Sequence, residues 1–163
     1  MYARPFIDSL DFARKGQRIS GEVPIIELPR LLDVFVNPQS VLSYVVHGQH
    51  GQQDDCWLDI EVAGHGQLCC QRCLQSLDHS VQLKVRLMLR EQAGMDALDD
   101  IEEEIDSILA EAQLDVLSLL EDEVLLSLPI APRHEMGDCQ AEGTKALQEE
   151  LHPFAVLAKL KSN

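Results

Sequence analysis

Val81-Gln82-Leu83-Lys84-Val85-Arg86-Leu87-Met88-Leu89-Arg90 is the stretch whose pattern decides the fold. Side chains of an extended chain alternate between two faces, so Val81, Leu83, Val85, Leu87 and Leu89 share one side while Lys84, Arg86 and Arg90 share the other. A strand with a core face and a basic face is the expectation. The basic face has two readings: direct contact with phosphate, or the ordinary outer face of an antiparallel strand whose cations pair with nearby acids. The second is the stronger, because the chain as a whole repels phosphate.

Upstream, Cys56, Leu58, Ile60 and Val62 alternate with Trp57, Asp59 and Glu61, and Leu42 to His47 is rich in β-branched and aromatic residues. The turn-forming cluster Gly48 to Asp55 separates these runs, which is a hairpin signal. Further back, Leu28, Leu31, Leu32 and Phe35 fall at helical spacing after Pro24, with Pro38 closing the segment. Phe6, Ile7, Leu10 and Phe12 read as an N-terminal strand, then a loop in which Gly16 and Gly21 bracket a turn. Downstream, Met95 to Gln113 fits a helix loosely. Leu114, Leu117, Leu120 and Val124 mark a firmer one, with Asp115 as N-cap and Pro129 as stop. Its acids Glu121, Asp122 and Glu123 read as an exposed face available to a partner. These elements give an α+β fold: an antiparallel sheet of about four to six strands with two or three packed helices. Residues 1–132 form one domain, and 133–163 a loop and C-terminal tail. Within that tail, Phe154, Leu157 and Leu160 stand three apart behind Pro153, as on an amphipathic helix that docks on a partner or on its own domain.

The 163 residues are 45% hydrophobic and 4% aromatic, so the core is built from Leu, Val and Ile. Met1 to Phe12 contains Asp8 and Asp11, and no stretch is long and apolar enough to span a membrane. A soluble, cytoplasmic protein without membrane contact is expected. Net charge is −15, and residues 91–150 hold eighteen acids against Arg133 and Lys145, while the rest hold ten acids and eleven bases. Such a segment repels a nucleic-acid backbone and attracts basic proteins, so any RNA contact is expected to be indirect or weak.

Five cysteines without a leader argue for reduced thiols or a metal site over disulfides. Cys69-Cys70-Gln71-Arg72-Cys73 contains one C-x-x-C, and His134 and Cys139 follow much later. Cys70, Cys73, His134 and Cys139 could complete a tetrahedral structural zinc site if the fold joins the two halves. A redox dithiol and simple reduced core cysteines remain the alternatives. The sequence carries no phosphate loop, dinucleotide fingerprint, zincin helix or nucleophile elbow, and the acids between Asp99 and Asp106 lack the separate environments of an acid–base pair.

Three blocks in order, Cys70 to Cys73 ahead of the long strand, Leu117 to Pro132 reading LSLLEDEVLLSLPIAP with His134 and Cys139 behind it, and Pro153 to Lys161 reading PFAVLAKLK, resemble the YceD family of bacterial large ribosomal RNA accumulation proteins. The N-terminal third resembles it only in general character. The resemblance implies a non-enzymatic role in synthesis, processing or stability of 23S ribosomal RNA, with a ribosomal protein or a pre-50S particle as partner. It also makes Ile101 to Gln113 extended instead of helical. Some relatives carry a richer cysteine cluster after the LP block, similar to a zinc ribbon; here only His134 and Cys139 stand there. The rival is a zinc- or thiol-dependent enzyme acting on RNA or on an assembly factor, and a third reading is an acidic adaptor unconnected with ribosomes.

Overall fold

The computed structural model describes residues 4–96 and 105–139. In chain order the elements are β1 (Phe6–Ile7), α1 (Ser9–Arg14), β2 (Arg18–Pro24), a 3-10 turn at Ile25–Glu27, α2 (Pro29–Leu32), β3 (Val41–His50), β4 (Cys56–Cys69), β5 (Ser76–Arg90), α3 (Gln92–Asp96), β6 (Ser107–Leu109), β7 (Leu114–Asp115) and α4 (Val116–Ser127). This is an α+β fold, as the alternation predicts.

Strands β2-β3-β4-β5-β6 form one sheet, antiparallel except for the parallel β5–β6 edge, and β1 pairs antiparallel with β7 in a second, two-stranded sheet. In register, Tyr44 faces Val62, Val46 faces Ile60, Leu58 faces Leu87 and Cys56 faces Leu89. Val81, Leu87 and Leu89 are buried, as the quoted stretch requires. One continuous hydrophobic cluster joins this face to Phe12 and Ala13 of α1, Leu28 and Leu31 at α2, and Leu117, Leu120 and Val124 of α4. Gly48 in β3 is where α1 presses closest: a Cβ there would sit 2.5 Å from the Phe12 carbonyl oxygen and 2.7 Å from the Ala13 Cα.

The opposite face carries the basic stripe. Lys84 donates to Glu61 at 2.9 Å and Arg86 to Asp59 at 2.6 Å, each directly across the β4–β5 ladder. Arg86 also lies over Trp57, 5.9 Å from the ring centroid. These cations are matched cross-strand by acids, a modest stabilisation at exposed sites.

Three local expectations are corrected. Residues 9–14 are helical, where a strand through Phe12 and then a loop were expected. The Asp8 carboxylate accepts from the Asp11 N–H at 3.0 Å, and Ser9, Phe12 and Ala13 form a buried stripe at helical spacing. Gly16, at φ +57°, makes the turn alone, while Gly21 lies inside β2 opposite Tyr44. The helix expected after Pro24 divides into the 3-10 turn and α2. Pro29 has no N–H to continue the turn and disfavours helical backbone at Leu28, which sits at φ −118°, ψ 84°. In the acidic stretch, β6 is extended, as the resemblance implies, and residues 97–104 lie outside those described.

Helix α4 begins where expected. The Asp115 carboxylate accepts from the Leu117 and Ser118 N–H groups and is held in place by Arg4. The fourth correction lies on this helix: Glu121 does not share an exposed face with Asp122 and Glu123. Glu121 is only 3% exposed. Its Oε1 accepts from the Arg30 backbone N–H at 2.9 Å, supplying a cap that Leu28 cannot give to the start of α2. Asp122 is paired with the Arg30 guanidinium, and Glu123 is half-buried.

Candidate metal centre

The β4–β5 connection is short, and its geometry gathers the first two thiols. The Cys70 N–H donates to the Gln75 carbonyl at 2.9 Å and the Leu74 N–H to the Cys70 carbonyl at 2.9 Å, so residues 70–75 form a tight knuckle. Closing it places Leu74 at φ +60°, a left-handed conformation that glycine adopts far more easily than leucine.

After α4, Pro129 and Pro132 stop helix propagation and the chain runs past the knuckle, where the Pro132 carbonyl accepts from the Gln71 N–H at 2.8 Å. Residues 134–139 then turn back over it. All four sequence-predicted ligands meet: the ligand atoms of Cys70, Cys73, His134 and Cys139 lie within 4.8 Å of one another. Cys70 Sγ is 3.7 Å from Cys139 Sγ, Cys73 Sγ is 3.4 Å from His134 Nδ1, and Cys139 Sγ is 3.6 Å from the same nitrogen. A tetrahedral zinc with bonds of about 2.3 Å to sulfur and about 2.05 Å to nitrogen sets its ligand atoms roughly 3.8 Å apart for S–S and roughly 3.6 Å for S–N. The residues present fit a metal ion of that size.

Sequence reading missed what surrounds the four. Arg72 Nε lies 2.9 Å from Cys139 Sγ, and its Nη2 donates to the carbonyls of His134 at 3.0 Å and Glu135 at 3.3 Å. His134 Nε2 lies 3.1 Å from the Ser76 carbonyl, which accepts its proton and leaves Nδ1 free as a ligand. A cation within the C-x-x-C spacer is the signal that could have found Arg72; the Ser76 contact depends on backbone that no residue pattern reveals.

The electrostatics are those of thiols crowded together. Burial opposes ionisation of Cys70, but the N–H groups of Cys73, Arg72 and His134 aimed at its sulfur outweigh this and bring it down to about 5. At Cys73 the Gln75 N–H favours the thiolate, yet burial and the Cys70 and Cys139 sulfurs push the thiol up. His134 is raised by its contacts with Cys139 and Cys70. One thiolate forms readily and the next resist, the condition a bound cation relieves.

Cys69 and Cys56 stay outside. Cys69 Sγ makes only a weak contact, 3.9 Å from the Cys70 carbonyl oxygen, and Cys56 is a buried core residue. Phe154 and Leu157 lie beyond the described residues. No helix among the described residues is long and apolar enough to cross a membrane.

The fold and site together define a small α+β protein in which a cysteine–histidine cluster joins side chains from the segment after its main helix and from a hairpin knuckle. The chain belongs to the family of the large ribosomal RNA subunit accumulation protein YceD, whose profile matches residues 58–161, more than half of the sequence. It is similar to the large ribosomal RNA subunit accumulation protein YceD of Haemophilus influenzae, 29% identical over 169 residues that cover 95% of this chain and 94% of that protein. No solved structure matches it.

Proposed function

We propose that this protein is a non-enzymatic, cytoplasmic ribosome biogenesis factor that supports synthesis, processing or stability of 23S ribosomal RNA. Membership of the YceD family carries this reading. It acts by holding a basic assembly partner, a ribosomal protein or a site on a pre-50S particle, with RNA contact indirect. Two features support the partner's sign. Residues 91–150 concentrate the acids of the chain. At the junction of α4 with the approach to β6, burial raises the Glu123 carboxyl and the nearby Asp106 and Asp122 raise it further, a like-charge crowding that a bound cation would relieve. Of the acids expected to bind, Asp122 and Glu123 can contribute; Glu121 supports the fold beneath them. Phe154 and Leu157 of the tail supply the apolar part of the interface.

The Cys70, Cys73, His134 and Cys139 centre holds structural zinc. Four protein ligands leave no open position for substrate, which argues for a staple over catalysis. Affinity purification of the full chain from growing cells should return large-subunit ribosomal proteins or precursor particles. Recovery of neither would count against the partner reading.

A further inference from the structure

We infer that the metal centre is a clasp, separable from the core, that fixes residues 129–139 to the β4–β5 knuckle. This rests on the zinc reading above.

The core stops before the clasp begins. Leu125 and Leu128 are the last residues packed against the hydrophobic cluster among those described. Beyond them, Ile130 is 104% exposed and Met136 94% exposed, and Ala131, Arg133, Glu135 and Asp138 are exposed as well. A segment that buries no large apolar side chain gains almost nothing from the hydrophobic effect.

What holds it is polar. Apart from contacts among the ligand sulfurs and nitrogen, the hydrogen bonds that tie it to the knuckle among the described residues include the Gln71 N–H to the Pro132 carbonyl, Arg72 to the carbonyls of His134 and Glu135, and His134 Nε2 to the Ser76 carbonyl. Such bonds at an exposed site compete with water and contribute little net free energy. Arg72 has a second task. Three thiolates exceed the charge of a divalent ion by one, and its guanidinium against Cys139 supplies the missing positive charge.

The two halves of the centre are unequal. Cys70 and Cys73 sit on a hairpin already closed by Leu68 facing Leu77, Cys69 facing Ser76 and the Cys70 N–H to the Gln75 carbonyl. Among the described residues, His134 and Cys139 have no comparable ladder. Loss of the metal therefore frees the second half and leaves the first folded. It also takes away one wall, Pro129, Ile130 and Pro132, of the groove whose other side is Val34 and Leu68.

The test uses the full chain in two stages. Metal analysis after growth with zinc comes first; a chain that takes up no zinc overturns the zinc reading, and the clasp with it. Amide hydrogen exchange of zinc-loaded and chelator-treated protein comes second. We expect at least a tenfold loss of protection at the Gln71 amide, which donates to Pro132, and at the amides of His134 and Asp138 within 129–139, with β3, β4 and α4 unchanged, and the same pattern for Cys139→Ser without chelator. Protection lost together across β4, β5 and α4 would show that the metal props the core. Protection retained at 129–139 after zinc has left would show that other contacts hold the segment. Either result overturns the clasp while leaving zinc binding intact.

Discussion

Cys73 and His134 stand 61 positions apart in the chain, and Cys73 Sγ lies 3.4 Å from His134 Nδ1. A knuckle at one end of a hairpin and a loop beyond α4 thus share one centre.

Adjacent cysteines should behave oppositely toward metal. Cys70→Ser removes a ligand, and the chain is expected to lose nearly all of its zinc, about one ion per chain when loaded. Cys69→Ser, whose sulfur lies outside the centre, should retain it. Zinc quantified on both purified variants checks this; equal retention would contradict the assignment.

The knuckle carries strain that can be removed. Leu74 is at φ +60° with a side chain 72% exposed, so Leu74→Gly relieves a left-handed backbone while sacrificing little burial. The variant should be more stable by about 1 kcal/mol, read as a raised midpoint in chemical denaturation. A loss of stability would mean that the leucine side chain contributes more than its exposure indicates.

Glu121→Ala should destabilise by about 2 kcal/mol, since it opens space in the core and leaves the Arg30 N–H at the start of α2 without its acceptor. Asp122→Ala, which breaks only an exposed ion pair, should cost no more than about 0.5 kcal/mol. Denaturant midpoints of the two variants give the comparison, and similar costs would remove the distinction between the buried acid and its neighbour.

Glu123 gives a pH signature. Burial, with Asp106 and Asp122 behind it, raises its carboxyl above the ordinary value, so the folded state binds a proton more readily than the unfolded one. The ionised group therefore weakens the fold above the raised value, and stability is regained as pH falls toward the unfolded carboxyl range. Glu123→Gln should raise the melting temperature near neutral pH, and the difference should vanish in mild acid. An increment unchanged by pH would point to packing instead of charge.

Much of this was legible in the sequence because its signals are local. The alternation from Val81 to Leu89, the hairpin around Cys56 and the Asp115 cap each depend on residues a few positions apart, and the structure keeps them. The four residues that could ligate a metal could be named because zinc accepts few residue types. What escaped depends on tertiary placement. Asp8 and Asp11 begin a helix whose buried stripe, Ser9, Phe12 and Ala13, is too short to show periodicity. Glu121 in a run of three acids reads as surface, and only the position of Arg30 reveals that it caps another helix. Leu74 gives no hint of its backbone, because a knuckle at this point ordinarily favours glycine.

The most direct measurement is the ratio of 23S to 16S ribosomal RNA, with ribosomal particles resolved on a sucrose gradient, in cells with and without this protein. Selective loss of 23S RNA and of large subunits is the expected result. An unchanged ratio would contradict a role in large-subunit RNA accumulation, whatever the metal centre binds.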